Sequence, residues 1–436
     1  MEPVTVIGAG LAGSECAWQL AQRGIQVTLY EMKPEKRTPA HHTDAFAELC
    51  CSNSLRGAGL ENAVGLLKEE LRRLGSLILS CADETRVEAG GALAVDRHGF
   101  ANLVTERIRS HPNITVIPGE VTAIPEGEVV IASGPLTSDA LAETLEKLLG
   151  EGCGLHFYDA AAPLVSAASV DMESAWFGSR YDKGTADYVN CPMTEEEYAA
   201  FWEALTTAQE AEVHGFEDSQ VFEGCMPVEV MARRGRDTLR YGPLKPRGLK
   251  DPKTGREPYA VVQLRRDNAQ GSIYNLVGFQ THLRFPEQKR VFSMIPALRD
   301  AEYLRYGVMH RNTFLDSPRY LNRYYQLKSE PRIVFAGQMT GVEGYVESAA
   351  SGFLASIELA RRLRGMEPID FPQETAIGAL GLYVSNGSIG NFQPMNVNFG
   401  IIPPLDHRVK GKRNKNAELS ARSLAIIEER KEDILQ

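Results

Sequence analysis

Val4-Thr-Val-Ile-Gly8-Ala9-Gly10-Leu11-Ala12-Gly13 sets a short apolar strand against the pattern Gly-x-Gly-x-x-Gly and runs directly into a helix-forming segment. A second strand, Gln26-Val-Thr-Leu-Tyr30, follows and ends at Glu31. The order strand, glycine turn, helix, strand and acidic end specifies a dinucleotide-binding unit. Gly8 permits the tight turn, Gly10 lets the backbone approach a pyrophosphate, and Gly13 lets helix and strand pack closely. The helix start supplies free amides and a positive dipole. Glu31, about twenty residues on, is placed to accept ribose hydroxyls. Gly8, Ala9, Gly10, Leu11, Ala12, Gly13 and Glu31 are therefore the first expected cofactor contacts.

The far end of the chain narrows the choice of dinucleotide. Pro331-Arg-Ile-Val-Phe-Ala336-Gly337-Gln338-Met-Thr-Gly341 reads as a buried strand breaking at glycine, and Gly344-Tyr345 through Gly352 opens a long helix reaching Arg364. This return resembles FAD-binding Rossmann proteins, in which a late strand and a glycine-rich helix start hold the flavin pyrophosphate and ring. Val129-Val-Ile-Ala-Ser133-Gly134-Pro135 resembles their segment beside the adenosine half. Val121, Gly134, Gly337, Gln338 and Tyr345 complete the expected cofactor set.

The 436 residues exceed what one core usually organises, and 43% hydrophobic with 24% charged residues is ordinary for a soluble enzyme. No apolar run approaches the roughly 20 residues that span a bilayer. A core strand begins at Val4, which leaves no room for a signal peptide, so no membrane association and a cytoplasmic location are expected. Strands and helices alternate from Val4 to about Val165: helices near Glu61–Leu74, Phe100–Arg109 and Ser138–Leu149, the strand Ile114–Ile117, and a hairpin-like pair through Val121 and Val130. Such alternation predicts a doubly wound α/β sheet. The texture then becomes aromatic, arginine-rich and proline-punctuated until the FAD-like pattern resumes at Pro331. The expected organisation is a Rossmann-type domain (1–170 and 331–436) interrupted by an inserted α+β domain (171–330). There is no second Rossmann unit for NAD(P)H.

Seven cysteines, an odd number without zinc spacing, do not form a disulfide framework, and no metal site is expected. Cys16 in the first helix and Cys81, ending an apparent strand Leu77-Ile-Leu-Ser-Cys81, read as buried hydrophobes. Cys50, Cys51, Cys191 and Cys225 lie in polar contexts. Two of these contexts are specific: Cys51-Ser-Asn-Ser-Leu-Arg56 and Glu223-Gly-Cys225-Met-Pro-Val-Glu229. With the opening fingerprint and the Gly337–Gly352 return, they identify a resemblance over nearly the whole chain. The chain resembles the folate- and FAD-dependent tRNA (uracil-5-)-methyltransferase family, TrmFO, relatives of the wobble-modifying flavoprotein MnmG.

That resemblance implies methylation of carbon 5 of the T-loop uridine in tRNA. Methylenetetrahydrofolate is the implied carbon donor. NAD(P)H reduces FAD, the folate-derived methylene passes through the flavin, and tetrahydrofolate is released. Carbon 5 must first become nucleophilic, and thiolate addition at carbon 6 achieves this by generating an enolate. Cys225 is the first choice for that thiol and Cys51 its partner beside the flavin; the two roles can be exchanged. Cys191, in Asn190-Cys191-Pro192, is the candidate most easily mistaken for them, and Cys50 reads as packing.

Weaker expectations concern substrate contacts. In Gln280-Thr-His282-Leu-Arg284, alternation would put the three polar side chains on one strand face, with His282 against a pterin and Arg284 at the glutamate tail. His41 and His42 lack a ligand set and read as solvent-exposed. The net charge of −10 does not describe local fields. Arg233, Arg234, Arg236 and the basic residues on to Arg256 form a dense stretch that could take RNA phosphates, as does His407–Lys415. The alternatives are an MnmG-like enzyme acting on another uridine, disfavoured by the shorter chain, and a flavin-containing tRNA-binding or folding factor.

Overall fold

The computed structural model describes the chain except residues 1, 39, 151–153, 161, 183–184, 212–225, 308 and 389–391; residues 154–160, 182 and 309–313 are described as backbone only. Five parallel strands form the first sheet, in the spatial order Ile333–Phe335, Val129–Ile131, Val4–Ile7, Val27–Glu31, Ile114–Pro118. Val4–Ile7 is central, so the connections depart on both sides of it and leave a crevice at its carboxyl end, where Gly8 begins. Residues Leu11–Gln22 form the first helix, and residues Tyr345–Leu363 form the return helix that packs against it. Glycine makes this contact possible: a Cβ on Gly352 would stand 2.3 Å from the Ala12 carbonyl oxygen.

The second sheet is antiparallel, in the order Trp176–Gly178, Tyr188–Met193, Ala260–Arg266, Ile273–Leu276, Leu164–Ser166, Tyr303–Arg305. Helices Glu195–Thr206, Val228–Arg233 and Phe285–Phe292 share its apolar core. Strands Gly154–Ala160 and Met309–Leu315 pair antiparallel where the chain leaves the first sheet and returns to it. The strand Leu164–Ser166 thus belongs to the inserted sheet, ahead of the boundary read at 170.

Two local readings are corrected. Leu77–Glu84 is a helix, not a strand ending at Cys81. A short apolar run carries no periodicity to separate the two; what decides is Ser76, whose hydroxyl caps Leu79 N, and Glu15, whose carboxylate accepts from Leu77 N and Ile78 N. Val121 and Val130 do not form a hairpin. Val129–Ile131 lies parallel between two partners inside the sheet, and Val121 lies outside any strand.

A buried glutamate also organises the C-terminal part. Glu70 accepts from Ala376 N at 2.7 Å, Ile377 N at 3.0 Å and Ser423 Oγ at 2.5 Å, tying the helix Ala63–Arg73 to the start of Ala376–Ser385 and to the C-terminal helix Lys412–Leu435. Burial pushes its carboxyl up from 4.5 to about 7. The folded chain therefore holds this proton more tightly than the unfolded chain. The resulting stabilisation is full below the unfolded value and is lost as pH rises to about 7. The expected difference is about 3 kcal/mol. Denaturant unfolding of wild type and Glu70→Gln at pH 5 and pH 8 checks this: the variant should show a flatter pH dependence.

Candidate functional site

A cavity opens at the carboxyl end of the first sheet, with an empty volume of about 1370 Å³ including its open mouth. One wall is the fingerprint, Gly8 to Ala12; a second is Gly337, Gln338, Tyr345 and Ser348; a third holds Val121 and the turn Ser133–Ser138. Glu31, Cys50 and Cys51 also face it. The expected cofactor contacts are thus gathered on one cavity, except Gly13, which lies beneath the turn.

The glycines pass a direct steric test for a dinucleotide. A Cβ on Gly8 would lie 2.6 Å from the Ala132 carbonyl oxygen, and one on Gly13 would lie 1.8 Å from the Gly8 carbonyl oxygen. Both glycines are therefore required by the turn itself. Gly10 is different: a Cβ there would meet nothing within 4 Å, leaving the backbone at the helix start open to an approaching pyrophosphate. Glu31 Oε2 accepts from Ala9 N at 2.8 Å and Oε1 from Lys33 N at 3.1 Å, so its carboxylate is fixed at the cavity edge where ribose hydroxyls are expected.

Cys51 and Tyr345 meet here. The Tyr345 hydroxyl accepts from Cys51 N at 2.9 Å and Ser52 N at 3.2 Å, joining the cysteine loop to the start of the return helix. Burial raises the Tyr345 phenol well above its ordinary value, so it stays protonated. The same loop is anchored beyond Cys51: Arg56, in a left-handed conformation at φ 63, is ion-paired with buried Glu347, two residues past Tyr345. Cys50 is a correction, because it faces the cavity rather than serving only as packing; burial pushes its thiol up to about 12. His41 is another. It lines the cavity and sits 2.6 Å from Thr38 Oγ1. Its position follows from tertiary folding of the loop after Lys33, which carries no local periodic signal.

Cys225 lies outside the described residues, as do Glu223 and Gly224. Cys191 is buried in the inserted sheet, paired in register with Val262, and burial raises its thiol; its polar neighbour Asn190 is buried with it, its amide donating to the Gly178 carbonyl at 3.2 Å.

His282 and Arg284 do not share a strand face. His282 is buried, with Nε2 2.6 Å from Glu210 and Nδ1 2.8 Å from Glu229. Burial alone would lower its pKa, but the two carboxylates push it up to about 9, and so hold it as an imidazolium within the inserted domain. Arg284 is exposed and donates to the Glu210 carbonyl at 3.2 Å. Arg233, Arg234 and Arg236 are also exposed, with Arg233 ion-paired to Glu210. The residues missed in the sequence are Arg97, Arg265, Asp267 and Arg305, which hold the Cys51 loop from a distance. No motif marks them, since their partners are backbone and side-chain atoms far away in sequence. Among the described residues no cluster of three or more metal-ligating side chains occurs, and no helix is long and apolar enough to cross a membrane.

Fold and cavity together define a Rossmann-type protein of the FAD-binding kind carrying an antiparallel insertion. The family described as glucose inhibited division protein A matches residues 3–367. The methylenetetrahydrofolate–tRNA-(uracil-5-)-methyltransferase TrmFO of Listeria innocua is 59% identical over 424 residues, covering 97% of this chain and 98% of its own. The TrmFO of Heliobacterium modesticaldum is 60% identical over 426 residues, covering 98% and 97%. The chain belongs to the TrmFO family of methylenetetrahydrofolate–tRNA-(uracil-5-)-methyltransferases, within the wider GidA group. In fold it is similar to GidA of Aquifex aeolicus, with a TM-score of 0.72 at 15% identity over 98% of this chain and 74% of that one.

Proposed function

We propose that this protein methylates carbon 5 of the T-loop uridine of tRNA, with methylenetetrahydrofolate as carbon donor, NAD(P)H as reductant and a cysteine as the group that activates the uracil. The observation that carries this reading is Cys51 lining the same cavity as the Gly8–Ala12 turn and Tyr345. A thiol joined to a dinucleotide cavity suits a reaction needing both a nucleophile and an electron carrier. The residues fit FAD: the amides after Gly10 for the pyrophosphate, Glu31 for the ribose, and Gly337, Gln338 and Tyr345 towards the ring. When bound and reduced, FAD supplies the two electrons that complete the methyl group.

The chain's own thiols perform the activation. Cys225 as thiolate adds to carbon 6 and sends an electron pair into the ring, making carbon 5 an enolate nucleophile. Carbon 5 bonds to the folate-derived methylene, and a base then takes the carbon 5 proton as the bond between the methylene and its carrier breaks. The exocyclic methylene so formed takes a hydride equivalent and becomes methyl, and the electron pair returned to the ring expels the thiolate from carbon 6, restoring the ring double bond. Cys51, held by Tyr345, stands beside this exchange to shield it or assist proton transfer. Because the reducing electrons come from outside the folate, the folate product is tetrahydrofolate. Measuring the folate product tests this: tetrahydrofolate release that requires both tRNA and NAD(P)H supports the reading, and dihydrofolate release would overturn it.

The exposed basic residues between Arg233 and Arg256 are the proposed phosphate contacts. Single Lys/Arg→Glu changes there should weaken tRNA binding without altering the flavin spectrum. Each lost contact should flatten the salt dependence by roughly 0.7–0.9 log unit per log unit of salt. Unchanged affinity and slope in filter-binding titrations would make the stretch a solvated face.

A further inference from the structure

The loop bearing Cys51 belongs to the first domain, yet much of its anchoring comes from the inserted sheet. Arg265 donates from Nη2 to Ser52 Oγ at 2.6 Å and from Nε to Asn53 Oδ1 at 3.2 Å. Asn53 Nδ2 donates to the Arg266 carbonyl at 2.9 Å, and Arg305 Nη2 reaches the Cys51 carbonyl at 3.5 Å. From the first domain, Arg97 donates to the Leu49 carbonyl and grips Asp267 of the inserted domain in a fork at 2.8 and 2.9 Å. Every residue from Cys51 to Asn53 is therefore bonded to the inserted sheet or to the return helix.

The charge arrangement is lopsided. Arg97, Arg265 and Arg305 converge on one loop, and Asp267 is the carboxylate paired among them. Arg97 and Arg265 are buried, and Arg305 Nε is a buried donor with no hydrogen-bond partner. Burial lowers the pKa of both Arg265 and Arg305, the mark of guanidiniums that pay a desolvation cost. Surplus buried positive charge is expensive unless an anion answers it. Arg97 and Arg305 both interact electrostatically with Cys51, which would answer it as a thiolate. Other ionisable groups around this loop and its arginines are Tyr345, Cys50, Glu48, Lys33 and Tyr188, the last hydrogen-bonded to Arg265.

We propose that Arg265 and Arg305 are positioning residues through which the inserted sheet makes Cys51 reactive: both fix its loop in the cavity wall, and Arg305, with Arg97, supplies the positive charge that favours its thiolate. Cys51 is then competent only while the inserted sheet is docked on the first domain. The inference rests on Cys51 being a reacting thiol in the proposed function, but its readout needs neither tRNA nor folate.

The test is the pH dependence of Cys51 alkylation by iodoacetamide, with the modified peptide located by mass, in the full-length flavin-loaded chain. In Arg305→Gln the midpoint should rise by about one pH unit or more, with a roughly tenfold slower rate at pH 7, and in Arg265→Gln, which frees Ser52 and Asn53, it should rise by less. Arg305→Lys, which keeps the charge, should restore most of the wild-type midpoint. Arg305 lies outside the Arg97–Asp267 pair, so Arg305→Gln keeps the test open should Arg265→Gln fail to fold. An unchanged midpoint in Arg305→Gln overturns the proposal, as does a rate that rises equally at every pH, which would mark a loop merely loosened. Shifted midpoints in a protein that never methylates tRNA would sink the proposed reaction and leave this inference standing.

Discussion

Cys51→Ala and Cys225→Ala should each lower tRNA methylation by roughly three orders of magnitude or more while FAD stays bound. Cys51 lines the cavity on a loop held by Tyr345 and three arginines through its backbone and the Ser52 and Asn53 side chains, so removing one sulfur leaves those bonds intact. A tRNA carrying 5-fluorouridine at the target separates the two roles, because fluorine at carbon 5 cannot leave as a proton does and the carbon–sulfur bond persists. With Cys225 as nucleophile, wild type and Cys51→Ala trap this RNA on denaturing gels and Cys225→Ala does not. The reverse pattern exchanges the roles. Cys191→Ala should trap normally, since that thiol is sealed in the inserted core; loss of trapping there would overturn the assignment to Cys225.

Gly13→Ala should remove both flavin and stability. The added methyl would stand 1.8 Å from the Gly8 carbonyl oxygen, a backbone atom that can move only by separating the first helix from its turn. The expected cost is about 1–3 kcal/mol or more, together with a colourless protein after purification. Gly10→Ala is the informative contrast. Its methyl meets no protein atom within 4 Å, so unfolding of the flavin-free protein should be unchanged while FAD retention falls. Flavin absorbance per chain and denaturant midpoints read the two variants together; equal flavin content in Gly10→Ala and wild type would mean the pyrophosphate does not pass over that turn.

These glycines also explain why one part of the fold was legible from sequence. The opening turn is decided locally, by positions where a Cβ collides or where the backbone must stay bare, and the strand ending at Glu31 and the glycine-rich return follow similarly local rules. Leu77–Cys81 reads as a strand because a short apolar run fits either structure, and what stabilises the helix Leu77–Glu84 is Glu15, more than sixty residues away. Val129–Ile131, the strand beside the central one, reads as half of a hairpin in the sequence because parallel pairing leaves no mark at the turns. In the site, the cysteine loop was visible through its motif, but its holders were not. Arg97, Arg265 and Arg305 act through backbone carbonyls and the side chains of Ser52 and Asn53; Arg265 and Arg305 sit in an arginine-rich, proline-punctuated stretch that looks like surface, and Arg97 opens a helix that no motif marks. For His282, alternation suggests a strand face shared with Gln280 and Arg284 and turned to a pterin, whereas Glu210 and Glu229 enclose it as a buried cation.

The central claim is that folate carbon reaches carbon 5 of a tRNA uridine on this protein. Its most direct measurement is nucleoside mass analysis of unmodified tRNA after incubation with the purified flavoprotein, NADH and methylenetetrahydrofolate isotopically labelled in the methylene carbon. The account predicts 5-methyluridine in the T-loop, carrying the label, and formed only when all three components are present. Unlabelled product, a modification at another uridine, or no methylation by a fully flavin-loaded protein would contradict it.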